Sequence, residues 1–395
     1  MVTLEDIRDA AARIGSFVHK TPLMYSRSLS EMTGTEVYLK AENLQKTGSF
    51  KVRGAFNRLI QSECGRIIAA SMGNHAQGLA YAAGRLGIQA KIVMPVTASL
   101  AKEEATKGYG AEVVLHGESF RGALDYALSQ KDYLFIHAFD DEGVIAGQGT
   151  IGLEIMEELQ GIDVVLVPVG GGGLISGIAM AVRGVSPATE VIGVQSESVP
   201  AASASFSKKE ITEIPPSSTI ADGIAVGRVG EKTFAIIEHY VDDMIVVSED
   251  SIAMAILFFL ERKKLVVEGA GAVPLAALLE NRERFRGRRI VLVVSGGNID
   301  FTLIDRIIHK GLIASGRIRV FEVIVDDIPG TLHALTGVIA SHRGNILDVA
   351  HERFTAKLPV GRTSLIFTIE TRGKTHGEEI LSDLVGRGFP VKQKL

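Results

Sequence analysis

A chain of 395 residues exceeds what one hydrophobic core usually organises, so two or more domains are expected. With 46% hydrophobic and 22% charged residues it is globular rather than disordered, and a net charge of -4 leaves no basic surplus for nucleic acid. Cys64 is the sole cysteine, which excludes an internal disulfide and fits a reducing compartment.

The chain opens on Met1-Val2-Thr3-Leu4-Glu5-Asp6, acidic and helix-like, with no basic-then-apolar signal pattern. Apolar stretches such as Ile252 to Leu260 are too short to span a bilayer, so a cytoplasmic protein without a membrane partner is expected. Val37 to Lys40 reads as a strand, and Ser49 is placed to N-cap the next helix, with Lys51 in its first turn. From about residue 64 to 145, strands Arg66 to Ser71, Lys91 to Pro95 and Ala111 to His116 alternate with helices Gln77 to Gly84, Ser99 to Gly108 and Ser119 to Leu128. That alternation predicts a parallel sheet with crossover helices. A second series follows: helix Ile151 to Leu159, strand Asp163 to Val169, a glycine turn, helix Leu174 to Val182 and strand Glu190 to Val194. Helix Ser251 to Lys264 and strand Arg289 to Val294 complete it. The fold class is α/β, with two parallel-sheet lobes and a cleft between them; the smaller lobe, about 43–145, is inserted in a domain spanning 1–312.

Residues 313–317 read as a linker, and from Ile318 to the end a βαββαβ pattern predicts a small α+β, ferredoxin-like domain. Its elements are strand Ile318 to Val325, helix Thr331 to His342, strand Ile346 to Thr355, strand Thr363 to Thr371, helix Gly377 to Gly386 and a short strand after Phe389. Pro329-Gly330 and Gly344-Asn345 mark its turns.

Three features carry chemistry. Gly170-Gly171-Gly172-Gly173-Leu174 lies where a strand turns into a helix, so backbone N–H groups and the helix dipole converge there on an anion. It has no Gly-Lys-Ser/Thr ending and does not fit Gly-x-Gly-x-x-Gly, which argues against a nucleoside triphosphatase or a dinucleotide turn; a tight turn between packed elements is the plainer alternative. Lys51, at the positive end of a helix, has an environment that lowers an amine's pKa, which suits attack on an aldehyde and later work as a base. Taken alone it reads as a surface lysine. Ser295, before Gly296-Gly297-Asn298, puts a hydroxyl at the carboxyl end of a strand, where open α/β sheets bind ligands. An amine, a phosphate cradle and a strand-end hydroxyl are together what a protein must supply to hold pyridoxal phosphate. A neutral hydroxyl at the ring nitrogen makes the ring a weaker electron sink than an aspartate does, and favours prompt β-elimination. Ser71-Met72-Gly73-Asn74-His75 also opens a helix after a strand: its N–H groups suit a carboxylate, Asn74 a phenolic oxygen, and His75 orders the turn rather than titrating.

Ser49-Phe50-Lys51-Val52-Arg53-Gly54-Ala55, Ser71-Met72-Gly73-Asn74-His75-Ala76-Gln77-Gly78, Gly170 to Leu174 and Ser295-Gly296-Gly297-Asn298 resemble, in order and spacing, the threonine dehydratase (threonine ammonia-lyase) family. These are pyridoxal-phosphate enzymes of the tryptophan-synthase-β-like fold. Thr21-Pro22-Leu23, Glu42-Asn43-Leu44-Gln45, Thr219-Ile220-Ala221-Asp222-Gly223 and Glu268-Gly269-Ala270-Gly271 fit the same pattern, which covers about residues 4–312. The resemblance implies that Lys51 is catalytic and holds the cofactor covalently, with Phe50 packed against it and Asn74 on the ring oxygen. It implies that Gly170, Gly171, Gly172, Gly173 and Leu174 bind phosphate, that Ser295 faces the ring nitrogen, and that Ser71, Gly73, Asn74 and His75 surround the substrate carboxylate. The implied reaction is β-elimination of L-threonine to 2-oxobutanoate and ammonia, and of L-serine to pyruvate; no residue is assigned to a metal, and a monovalent cation site is left unplaced. Serine racemases look similar but carry a second hydroxyl where this chain has Met72, and an acidic cation site after the strand ending at Val194. Here that stretch reads Gln195-Ser196-Glu197 and then Ala201, so elimination is expected; Met72 also exceeds the alanine usual in dehydratases and bears on substrate size. An L-serine dehydratase, a β-replacement synthase, a threonine synthase and a non-catalytic amino-acid sensor are the alternatives.

Asp326-Asp327-Ile328-Pro329-Gly330-Thr331-Leu332 and Gly344-Asn345-Ile346 resemble an ACT domain over about 318–395. This implies allosteric control by an amino acid such as isoleucine or valine, bound by Asp327, Ile328, Pro329, Gly330, Asn345 and Ile346 where two such domains pair. A homodimer or homotetramer is then expected; a module that only dimerises is the alternative.

Overall fold

Short runs of β-branched residues assemble into two sheets within residues 1–300. One has six strands, in the order Leu23–Tyr25, Glu36–Ala41, Arg289–Val294, Val164–Pro168, Glu190–Ser196, Asp243–Val247, and only its first pair is antiparallel. The other is a four-stranded parallel sheet, in the order Glu112–Leu115, Gln89–Met94, Arg66–Ala70, Leu134–Phe135. Parallel strands are covered on both faces by their crossover helices, which is why Ile290 to Val294 is one unbroken buried apolar run. The larger sheet packs Val165, Val167, Val291 and Val293 against Ile175 and Ile178. The smaller packs Ile67, Ala69 and Ile92 against Val52, Phe56, Leu79 and Ala83. The computed structural model describes residues 2–353 and 358–394.

The helix Glu142–Glu158 lies against both Lys51–Ile60 and Gly173–Val185. It begins nine residues before the expected Ile151, capped by Asp141, whose Oδ1 accepts from the Val144 N–H at 3.0 Å. Its glycines discourage a helix by intrinsic propensity, but they are where the neighbouring helices touch. A Cβ on Gly147 would lie 2.6 Å from the Gly54 Cα. That close approach seats the helix headed by Lys51. Ser49 does not cap this helix: Phe50 holds the N-cap position without a side-chain bond, and the Ser49 hydroxyl is buried and unpaired. The Ser49 backbone instead bridges to Gly296. The helix expected over Ser251 to Lys264 is Glu249–Phe258, followed by a π turn over Phe259–Lys263. Strands Leu134–Phe135 and Asp243–Val247, too short or too exposed to read from pattern, add to the sheet edges.

Residues 301–395 form a separate unit, led by the helix Phe301–Ala314. The boundary thus falls at Asp300, before the expected 312, and residues 313 and 314 end a helix rather than open a linker. Its antiparallel sheet runs Asn345–Glu352, Arg362–Glu370, Ile318–Asp326, Val391–Gln393, the order of a ferredoxin-like βαββαβ fold. Helices Thr331–Ser341 and Lys374–Gly386 pack Leu335, Ile339, Ile380 and Leu384 onto Phe321, Val323, Phe367 and Ile369. The strand expected to reach Thr355 ends at Glu352; Thr355 lies outside the described residues. Among the described residues no helix is long and apolar enough to cross a membrane.

Candidate active site

Lys51 heads its helix, and the loop before it is zipped to the turn after Arg289–Val294. The Phe50 N–H donates to the Ser295 carbonyl at 3.1 Å, and the Gly297 N–H to the Gly48 carbonyl at 2.8 Å. Lys51 is half-buried, and its amine donates to the Ala138 carbonyl at 3.0 Å. Burial lowers the amine from 10.5 to about 8, with Glu268 opposing the shift. The dominant cause is therefore desolvation. The Phe50 ring centroid is 5.2 Å from the amine.

Ala138 leads to Phe139, whose ring lies on the glycine tetrad: a Cβ on Gly171 would sit 2.4 Å from it. Gly172 has φ +100, open to glycine without strain, and N-caps the helix Gly173–Val185. Among the described residues no acceptor takes the backbone N–H of Gly170, Gly171, Gly172, Gly173 or Leu174, although all but Gly170 are buried. The first N–H groups of a helix have no partner within it, so this turn offers a set of free donors. Such donors at a helix N-terminus suit an anion, and a cofactor phosphate fits the donor set. Ser295, 2% exposed, stands at the carboxyl end of the third strand of the larger sheet.

Asn74 begins the helix Asn74–Leu86 on the smaller lobe. Its amide is held on both sides. Asn298 Nδ2 donates to the Thr47 carbonyl at 2.9 Å and to Asn74 Oδ1 at 2.8 Å; Asn74 Nδ2 donates to Glu268 at 2.8 and 3.1 Å. The Ser71 hydroxyl accepts from the N–H groups of Gly73 and Ala76, both at 3.3 Å, and so shapes the turn. His75 is buried with Nε2 3.3 Å from the Ile136 carbonyl; burial, with Lys51 adding, lowers it to about 3, so it stays neutral and orders the turn. Met72 packs against the core of the smaller lobe.

Two groups take partners that the linear pattern does not show. Arg53 is fully buried and forks to Glu42 at 2.8 Å through Nε and Nη2, and to Glu154 at 2.6 and 2.9 Å. Lys40, also fully buried, joins Glu154 at 2.7 Å. Burial alone would raise the Glu42 carboxyl, but Arg53, Thr21 and Lys40 outweigh it and hold it below its ordinary value. After the strand ending at Ser196, a carboxylate arrives from elsewhere in the chain. Glu249 accepts from the hydroxyls of Ser196, Ser198 and Thr219 and from the Ile220 N–H. Among the described residues no cluster of three or more His, Cys, Asp or Glu is placed to hold a metal.

In the C-terminal unit, Asp327, Ile328, Pro329 and Gly330 follow the strand Ile318–Asp326, beside Arg362, while Asn345 pairs with Glu370 and Ile346 with Ile369. Residues 362 and 370 are the two ends of one strand, ~27 Å apart at about 3.4 Å per residue. One chain therefore does not bring these two groups together. Ile328 is 63% exposed, and Asp327 pairs with Arg353 at 3.1 Å.

The model of the pyridoxal-phosphate dependent enzyme family matches residues 14–296. The L-threonine ammonia-lyase of Thermotoga maritima is 49% identical over 99% of this chain and 99% of its own. The processed form of threonine deaminase isoform 2 from Solanum lycopersicum superposes with a TM-score of 0.74 at 37% identity, covering 77% of this chain and 87% of that one. Maize serine racemase gives a TM-score of 0.74 at 33% identity, over 79% of this chain and 98% of that one. The chain belongs to the family of pyridoxal-phosphate dependent enzymes that includes the L-threonine ammonia-lyases.

Proposed function

We propose that this enzyme is an L-threonine ammonia-lyase that also accepts L-serine, with Lys51 as its catalytic amine. The observation that carries this is a buried amine beside a set of unpaired amide N–H groups, joined through Ala138 and Phe139. Pyridoxal phosphate, when bound, supplies the electron sink for breaking the Cα–H bond. The amides of Gly170 to Leu174 would hold its phosphate, Ser295 its ring nitrogen and Lys51 its aldehyde carbon. With its amine near 8, Lys51 is deprotonated in a useful fraction at neutral pH and takes the α-proton of threonine. The helix start at Ser71 to His75 would receive the substrate carboxylate and so leave the α-C–H bond to face that amine. The β-hydroxyl takes up one proton and leaves as water, and hydrolysis of the product enamine by one water gives 2-oxobutanoate and ammonia. The racemase reading is less favoured, because Met72 packs into the lobe core and has no proton to deliver.

Release of 2-oxo acid and ammonia from purified protein with L-threonine tests this. Equal release of the two products supports it. Turnover requiring a second or a phosphorylated substrate moves the protein to a synthase of the same fold, and conversion of L-serine to D-serine to a racemase.

The C-terminal unit is proposed to be an ACT module that binds isoleucine or valine. Its candidate residues stand at opposite ends of one sheet, so a two-fold pair of such units, in a homodimer or homotetramer, is the arrangement that joins them. A cytoplasmic location accords with the sole cysteine.

A further inference from the structure

Glu268 lies in the same pocket and has no role in the reading above. It is 4% exposed, stands at the N-cap of the helix Gly269–Glu280, and its own N–H donates to the Gly296 carbonyl at 3.1 Å. Its carboxyl takes the Asn74 amide with both oxygens, at 2.8 and 3.1 Å, across 194 residues of sequence and from one lobe to the other. The orientation of every group in this relay follows from one end. The Thr47 carbonyl only accepts, so Asn298 turns its Nδ2 there; that nitrogen also donates to Asn74 Oδ1, with Gln77 Oε1 farther off at 3.4 Å, and Asn74 Nδ2 is left facing Glu268. The seat of the carboxyl is built into the backbone as well. A Cβ on Gly296 would lie 2.2 Å from Glu268 Oε1, so the first glycine of Ser295-Gly296-Gly297-Asn298 makes room for this side chain.

We propose that Glu268 is a positioning residue: it clamps the Asn74 amide, and so seats the carboxylate-receiving turn of the smaller lobe against the loop that carries Lys51. The clamp acts on substrate affinity, because Asn74 opens the helix whose first turn faces the substrate carboxylate. It also places a carboxyl among charged neighbours. Burial raises Glu268 to about 7; the Asn74 bond, Lys102 and Lys51 oppose this and Asp222 adds to it. Lys102 and Asp222 pair with each other at 2.7 Å. The proposal rests on the pocket being a pyridoxal-phosphate site.

The test compares the holoenzyme with Glu268→Ala, Glu268→Gln and Asn298→Ala. Two readouts separate the clamp from the wider reading of function. One is kcat and KM for L-threonine. The other is the affinity for L-alanine, which has no β-leaving group, followed by the change it causes in the visible band of the bound cofactor. Glu268→Ala and Asn298→Ala are expected to raise KM and weaken L-alanine about tenfold, with a smaller change in kcat. Glu268→Gln keeps an oxygen for Asn74 and is expected to restore both to within about threefold. L-alanine binding by Glu268→Ala equal to the parent overturns the clamp. So does a Glu268→Gln variant as weak as Glu268→Ala, which would make charge rather than position the cause. Should Glu268→Ala fail to fold, Asn298→Ala tests the clamp from the other end of the relay: weakened L-alanine binding supports it, and binding equal to the parent overturns it. A parent that binds L-alanine but does not turn over threonine removes the proposed function and leaves the clamp to be judged on the binding series.

Discussion

At the residue scale the pocket joins two groups whose burial shifts them in opposite directions along the pH axis. Glu268 is raised from 4.5 to about 7, so the folded protein holds its proton more tightly than the unfolded chain does. The stabilisation this provides is full below about 4.5 and is lost as pH rises through about 7. Lys51 is lowered from 10.5 to about 8, so its burial weighs on the fold below about 8 and the strain is relieved as pH climbs towards 10.5. Urea unfolding of the apoprotein should therefore show stability falling between about pH 5 and 7, and Glu268→Gln should flatten that fall. Lys51→Ala removes the proposed covalent attachment and the proposed base; turnover should drop at least about a thousandfold while the chain stays folded, which a single-turnover assay and circular dichroism together check. Gly171→Ala sets a methyl against the Phe139 ring and should weaken cofactor binding at least about tenfold by equilibrium titration.

At the scale of elements, the helix Lys51–Ile60 is held by two contacts of different kinds. Gly54 meets Gly147 backbone to backbone, and Arg53 reaches Glu42 and Glu154 through a buried fork. Replacing Arg53 by Met leaves Glu42 buried without its partner, and should cost about 3–5 kcal/mol in urea unfolding. Replacement by Lys, a point charge that cannot fork, should recover only part of that. How much of these elements is legible in the linear chain follows from the same contacts. Alternating strands and helices in the smaller lobe are legible within a few residues, because buried parallel strands are plain apolar runs. The first turns of Glu142–Glu158 are not, because their glycines read as helix breakers until the packed neighbours are known. Ser49 is the residue type an N-cap favours, yet its backbone is claimed by Gly296, 247 positions away.

At the scale of the whole molecule, residues 1–300 and 301–395 are separate compact units, and the proposed activity and the proposed effector response fall one in each. A chain ending at Asp300 should retain threonine turnover and lose any response to L-isoleucine that the full chain has. Assaying both chains with and without the effector checks this; loss of turnover would instead tie the second unit to catalysis. The opposite-end placement of Asp327 to Gly330 and of Asn345 and Ile346 also predicts that effector binding follows assembly, so sedimentation velocity and isoleucine titration should change together on dilution.

The sequence by itself determined the fold class, the cofactor and the candidate amine, phosphate turn and hydroxyl. Each motif is a short run of neighbouring residues, a strand-to-helix turn, a glycine run or a strand end, and it is their order and spacing together that point to the cofactor. Only the tertiary structure decided what surrounds them. The pKa of Lys51 comes chiefly from burial by distant segments, the Asn74 amide is committed to Glu268 and Asn298, and Arg53 and Glu249 find their partners through contacts between separate elements. Desolvation and hydrogen-bond geometry depend on how segments far apart in the chain pack, and no run of adjacent residues records that.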